Sequence, residues 1–171
     1  MAITKLLART PNVALYLLNR GNRNANLPSN VKIIQGDINN EQEIAEKIKD
    51  LSFDSVCNFI AFVPQHLERD YNLFKNKTKQ YIFISSASAY QKPLSNYLIT
   101  EGTPVANPYW EYSRNKIYCE DFLMKKYRDE KFPVTIVRPS HTYDERSVPL
   151  GVHGKNGSWQ VIKRMKEGKP V

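Results

Sequence analysis

The chain is expected to fold as an α/β domain on a doubly wound parallel sheet. Three observations predict this. Short apolar, β-branched runs alternate with helical ones along most of the chain, and strands alternating with helices build parallel sheets. The strand-like runs are nearly continuous in apolar residues, as strands covered by helices on both faces are. The segment Gln91 to Val105 is polar and turn-rich, a long loop of the kind that borders a site.

The elements follow in order. Ile3 to Arg9 reads as the back half of a helix. Val13 to Leu18 is a strand ending at Asn19-Arg20-Gly21, and Val31 to Ile34 a second, ending at Gly36-Asp37. Glu41 to Lys49 has helical spacing at Ile44 and Ile48. Ser55 to Ile60 is a third strand, Gln65 to Phe74 a helix, and Tyr81 to Ile84 a fourth strand. The longest helix is expected from Pro108 to about Arg128, because Asn107 suits an N-cap and Pro108 the first helical position. Pro133 to Val137 is a fifth strand, and Gly157 to about Lys166 a last helix.

Composition narrows the function classes. Of 171 residues, 41% are hydrophobic and 25% charged, enough for one domain with a core. No apolar run approaches the ~20 residues of a membrane span, and the N-terminus lacks a secretory signal, so a cytoplasmic protein is expected. Cys57 and Cys119 have no CxxC spacing and read as reduced thiols. His66, His141 and His153 are scattered without zinc spacing, so no metal site is expected. The net charge is +8, with lysine clusters at Lys75-Lys77-Lys79, at Lys125-Lys126-Arg128 and from Lys163 to Lys169. Such clusters suit solvated helix faces, a phosphate-bearing small ligand or nucleic acid, although no nucleic-acid motif accompanies them.

The richest chemistry lies in Tyr112-Ser113-Arg114-Asn115-Lys116, preceded by Ile84-Ser85-Ser86-Ala87-Ser88-Ala89-Tyr90. A Tyr and a Lys four apart share a helix face, and a Ser at a strand end can meet them. A free phenol titrates near ~10, so Tyr112 needs nearby positive charge to act as a base. Lys116 can supply it. Tyr112 would then exchange a proton with a substrate hydroxyl or carbonyl, Ser86 would hold the substrate oxygen, and Lys116 would also bond a cofactor ribose. The Tyr-x-x-x-Lys pair alone also fits a surface helix. The serine-ended strand before it and Arg138-Pro139-Ser140 after the next strand tip the reading toward a site.

Tyr81 to Tyr90, Asn107 to Lys116 and Val134 to Asp144 resemble the extended short-chain dehydrogenase/reductase superfamily, and within it the NAD-dependent epimerase/dehydratase family, which acts on nucleotide sugars. The resemblance runs from Ile3 to Val171. It implies a Rossmann-like fold and assigns catalysis to Ser86, Tyr112 and Lys116, with Ser85 and Ser88 weaker candidates for the hydroxyl. The 26-residue separation of Ser86 and Tyr112 resembles the extended form. It implies cofactor contacts from Asn19, Arg20, Asp37, Ile38, Phe59, Ile60, Ala61, Ser85, Tyr112, Lys116, Pro139 and His141. Where an acidic residue would read the ribose of NAD, this chain has Asn19 and Arg20, with Arg23 near. The cofactor is therefore NAD or NADP, with NADP slightly favoured by Arg20. Arg20 also reads as a solvated charge and Asp37 as a turn aspartate.

The family's glycine-rich turn and first strand would lie before Ala2, which should expose apolar edges of the neighbouring strands. Residues 1–145 are thus expected to form a partial NAD(P)-binding Rossmann-like domain and 146–171 the start of a truncated substrate lobe. The expected function is an NAD(P)-dependent oxidoreductase of the epimerase/dehydratase type on a nucleotide sugar or related hydroxyl/carbonyl substrate. The alternative is a catalytically impaired remnant that binds a nucleotide or RNA weakly. A homodimer through the long helices is an expectation by analogy alone.

Overall fold

Apolar four-residue runs become the strands, and the computed structural model describes them within residues 2–22, 24–143 and 159–170. Arg23 and the predicted 146–158 part of the second lobe lie outside the described residues. The order is α1 (Ala2–Arg9), β1 (Tyr16–Asn19), β2 (Lys32–Gln35), α2 (Glu41–Lys47), β3 (Val56–Asn58), α3 (Pro64–Phe74), β4 (Tyr81–Ile84), a 3-10 turn (Ala87–Ala89), α4 (Glu111–Glu130), β5 (Val134–Val137) and α5 (Trp159–Lys166). Every expected strand and helix is present among the described residues, with β4 matched at both ends and no described end displaced by more than three residues.

All the pairings between strands are parallel. β1 pairs β2, with Tyr16 opposite Lys32. β3 pairs β4, with Val56 opposite Tyr81, and β4 pairs β5, with Tyr81 opposite Val134. The strands form two sheets, β1-β2 and β3-β4-β5. β1 and β2 are thus both edge strands of their sheet, as are β3 and β5 of theirs. Cys57 on β3, an edge strand of its sheet, is exposed.

One core nevertheless joins both sheets. Ile44 and Ile48 of the α2 region pack with Leu67, Tyr71, Phe74, Tyr81, Phe83, Cys119 and Leu123, and Leu18, Ile34 and Val56 lean on that cluster. The helical spacing that picked out Ile44 and Ile48 therefore marks the buried face of α2. Burial pushes the Cys119 thiol up to about 12, partly offset by the Lys116 charge, so this cysteine behaves as a core residue.

The start of α4 corrects the sequence expectation. The helix begins at Glu111 with Trp110 at its N-cap, and no side chain caps it. Asn107 is otherwise engaged. Its Oδ1 accepts from Tyr109 N at 3.1 Å, and its Nδ2 donates to the Ser88 carbonyl at 2.7 Å. Asn107 thus folds a turn through Pro108 and fastens it to the 3-10 turn after β4. Local capping propensity lost to this tertiary bond.

Candidate active site

The site is built where β3, β4 and β5 end. Lys116 lies on the buried face of α4, 2% exposed. Its Nζ donates to the Ala61 carbonyl beyond β3 at 2.7 Å and to the Ile84 carbonyl at the end of β4 at 2.8 Å. The ammonium also stands 4.9 Å from the Phe62 ring centre, 4.7 Å from that of Phe83 and 5.7 Å from that of Tyr112. Burial holds its pKa below the ordinary lysine value, while the nearby Cys119 and Glu120 pull it back up. A cation so placed projects field onto the Tyr112 ring through a medium less screening than water.

Tyr112 is half-buried, between Trp110 at 4.9 Å and Phe62 at 6.4 Å, centre to centre. Ser86 caps the 3-10 turn, its hydroxyl accepting from Ser88 N at 3.1 Å. It follows Ile84, whose carbonyl holds Lys116, by two residues. The fold therefore gathers the phenol, the amine and the serine-bearing strand end at one end of the sheet. Pro139 adjoins them, because its carbonyl accepts from Ala87 N at 3.0 Å. His141 follows on the surface. Glu111, beside Tyr112, is exposed.

Ser85 is used differently. It is 3% exposed, and its hydroxyl donates to Glu120 Oε1. Glu120 also takes a two-pronged bond from Arg138, at 3.0 Å to Oε1 and 2.6 Å to Oε2. Arg138 in turn donates to the Tyr90 hydroxyl at 3.3 Å and lies over its ring at 5.0 Å. The Glu120 carboxylate holds the Arg138 guanidinium above its ordinary pKa.

The remaining residues implied for a cofactor lie around the ends of β1, β2 and β3. Asn19 Oδ1 accepts from Gly21 N at 2.7 Å. Gly21 has φ +91°, and a Cβ there would fall 2.8 Å from Gln35 Nε2, so this turn requires glycine. Arg20, Asp37, Gln35, Gly36, Glu43 and Lys47 line an open cavity of about 330 Å³. Asp37 also makes the turn foreseen as its other role, its Oδ1 accepting from Asn39 N at 2.9 Å. Ile38 packs on the core. Phe59 and Ile60 are 50% and 54% exposed, whereas Ala61 is fully buried. Arg20 and Asp37 thus share one cavity, while Phe59 and Ile60 belong to the other sheet.

Sequence reasoning missed the residues that shape these strand ends. Asn58 Oδ1 accepts from both Ile60 N and Ala61 N at 2.7 Å, curling the chain after β3. Its amide donates to Asp70, a carboxylate 2% exposed that also accepts from Tyr81 Oη at 2.6 Å and from Arg69 Nη2 at 2.7 Å. Burial raises the Tyr81 phenol pKa, and the Asp70 charge adds to the effect. The signal was available, since Asp70 and Glu120 are acids on the core-facing stripes of α3 and α4.

No group of three or more possible metal ligands occurs among the described residues. No described helix is long and apolar enough to cross a membrane.

Parallel strands with crossover helices and residues gathered at the carboxyl ends define a Rossmann-like α/β protein. The sequence matches the NAD dependent epimerase/dehydratase family over residues 2–171, and the chain belongs to that family. The fold is similar to UDP-glucuronic acid 4-epimerase from Bacillus cereus, solved with UDP-glucuronic acid and NAD. The TM-score is 0.71 at 19% identity, over 99% of this chain and 60% of that one. It is also similar to dTDP-glucose 4,6-dehydratase from Bacillus anthracis in complex with NAD (TM-score 0.60, 21% identity, 82% of this chain and 46% of that). A third likeness is the UDP-Glc/GlcNAc 4-epimerase of Campylobacter jejuni (TM-score 0.64, 17% identity, 80% and 48%). The chain thus spans about three fifths of the length of the first of these structures. No curated protein matches it.

Proposed function

We propose that the chain carries the acid–base half of an NAD(P)-dependent epimerase/dehydratase-type oxidoreductase acting on a nucleotide sugar in the cytoplasm. The observation that carries the reading is Lys116. Its buried ammonium joins the ends of β3 and β4 and stands against the Tyr112 ring. Family membership supports the reading independently.

The described residues fit a dinucleotide. The cavity lined by Arg20 and Asp37 sits at the carboxyl ends of β1 and β2, where open α/β sheets take ligands. Arg20, Asp37, Phe59 and Ile60 would hold it, with Lys116 toward the ribose. When bound, such a cofactor accepts and returns hydride. This chain's own part is proton traffic. Tyr112, as the phenolate beside the Lys116 ammonium, would take the proton of a substrate hydroxyl and, as the phenol, give it back in the reverse direction. The Ser86 hydroxyl orients the substrate oxygen. Lys47 is paired with Glu43, so Arg20 is the cation at the cavity that would meet an added phosphate, and on it NADP is slightly favoured.

Two measurements test this. Tyr112→Phe should lower turnover of a UDP-sugar at least about 100-fold, with cofactor affinity within about twofold. Unchanged turnover in an active wild type overturns the mechanism. Arg20→Ala should weaken NADPH binding on the order of 10-fold and leave NADH unchanged, read by nicotinamide fluorescence. Equal losses for both cofactors remove the assignment of Arg20 to a 2′-phosphate.

A further inference from the structure

Asn58 closes β3, and its side chain bends the residues that follow. Its Oδ1 accepts from Ile60 N and from Ala61 N, each at 2.7 Å, a local bond of the kind asparagine makes to its own backbone. The turn so made presents the Ala61 carbonyl to α4, where it accepts from Lys116 Nζ at 2.7 Å. Ala61 is fully buried and Lys116 is 2% exposed. Little water is at hand to replace that carbonyl if the turn opens, and an unpartnered buried ammonium is costly.

The turn holds only with the Asn58 amide one way round. The oxygen and nitrogen of an amide have nearly the same shape, and its partners settle which is which. Turned over, the amide would set its nitrogen against two backbone N–H groups and lose both bonds. Asp70 prevents this, because an ionised carboxylate offers acceptors only. It is 2% exposed. Its Oδ2 takes the Asn58 amide nitrogen and the Tyr81 hydroxyl, the latter at 2.6 Å. Its Oδ1 takes Arg69 Nε at 2.9 Å and Arg69 Nη2 at 2.7 Å. Arg69 Nη1 also donates to Asn39 Oδ1 at 2.8 Å, and Asn39 N donates to Asp37, which lines the Arg20 cavity. An apolar residue at position 70 would fill the space with less electrostatic cost, but it could not fix the amide.

We propose that Asp70 and Asn58 are positioning residues that place the Lys116 ammonium, and that Arg69 ties the same relay to the turn of Asp37. Neither Asp70 nor Asn58 meets the reacting atoms. Both act through the Ala61 carbonyl, one of the two that hold Lys116. With the turn open, the ammonium keeps only the Ile84 carbonyl and is free to swing from its place beside the Tyr112 ring. The bearing of this on proton transfer rests on the acid–base reading of Tyr112 and Lys116 given above. The placement of Lys116 does not.

The test follows the Lys116 ammonium in the full chain by proton–nitrogen NMR, with Lys116→Met identifying its signal. Asp70→Asn puts a donor opposite the Asn58 amide and should turn it over. Exchange of the ammonium protons with water should then rise at least about 10-fold, the effect of losing one bond to a charged group. Adding Asn58→Asp to Asp70→Asn swaps donor and acceptor between the two positions and remakes the turn. Exchange in the double variant should return to within about threefold of wild type, a coupling that independent sites do not show. An unmoved ammonium in a folded Asp70→Asn chain overturns the proposal, and so does a folded double variant without recovery. If Asp70→Asn does not fold, the wild type decides. In urea below the unfolding transition, the Ile60 and Ala61 amides and the Lys116 ammonium should be released together, and earlier release of the ammonium overturns the relay. These readouts need no turnover, so failure of the relay and failure of the acid–base reading are told apart.

Discussion

Lys116 offers its ammonium to two main-chain carbonyls and three aromatic faces. The four-residue spacing from Tyr112 was legible in the sequence. That Ala61 and Ile84 supply the carbonyls was not, because they lie 55 and 32 residues away. Burial lowers the pKa of this lysine from its ordinary 10.5. The unfolded chain therefore holds the proton more tightly than the folded one in this range. It follows that the group costs stability at neutral pH and that this cost fades as pH rises toward 10.5. Lys116→Met removes the titration. Between about pH 7 and about pH 10, urea unfolding should show wild-type stability rising relative to the variant. A pH-independent difference would contradict the assigned direction.

At the scale of elements, α4 is fastened by one carboxylate. Glu120 on the helix meets Ser85 beyond β4 and Arg138 beyond β5, and Arg138 reaches Tyr90. One buried ion pair thus sets the helix that carries Tyr112 against the strand ends that carry Ser86 and Pro139. Removing one partner strands the other's charge, which typically costs 3–5 kcal/mol, whereas replacing both with apolar residues is often near neutral. Glu120→Leu and Arg138→Met should therefore each lower stability by roughly 3 kcal/mol, and the double variant by clearly less than their sum. Additive losses in denaturant titrations would show that the pair is not coupled. The sequence marked Arg138 by its place before Pro139, but nothing in spacing tied it to Glu120, 18 residues earlier.

Over the whole molecule, order is concentrated in one place. Among the described residues β4 is the only strand paired on both sides, and Tyr81 and Phe83 are fully buried. In contrast, α1 and α5 bury no residue. Local opening is easiest where few apolar contacts must break. Native-state hydrogen exchange should therefore be slowest at β4 and the middle of α4 and fastest in α1 and α5, with β1 and β2 between. Equal protection across the molecule would mean that the two sheets unfold as one unit. The +8 charge has no single seat in the fold. Part of it is matched in surface pairs such as Lys125–Asp129 and Lys126–Glu130, which contribute little each.

The sequence by itself determined the alternation of strands and helices, the buried face of α2 and the pairing of Tyr112 with Lys116. These follow from periodicities of two, three and four residues, which local geometry dictates. Only the tertiary structure decided that Asn107 would hold a turn instead of capping α4 and that Ser85 would face Glu120. Each of those outcomes depends on a partner far along the chain. A hydroxyl or an amide bonds whatever the fold brings within about 3 Å, and spacing along the sequence carries no record of that distance.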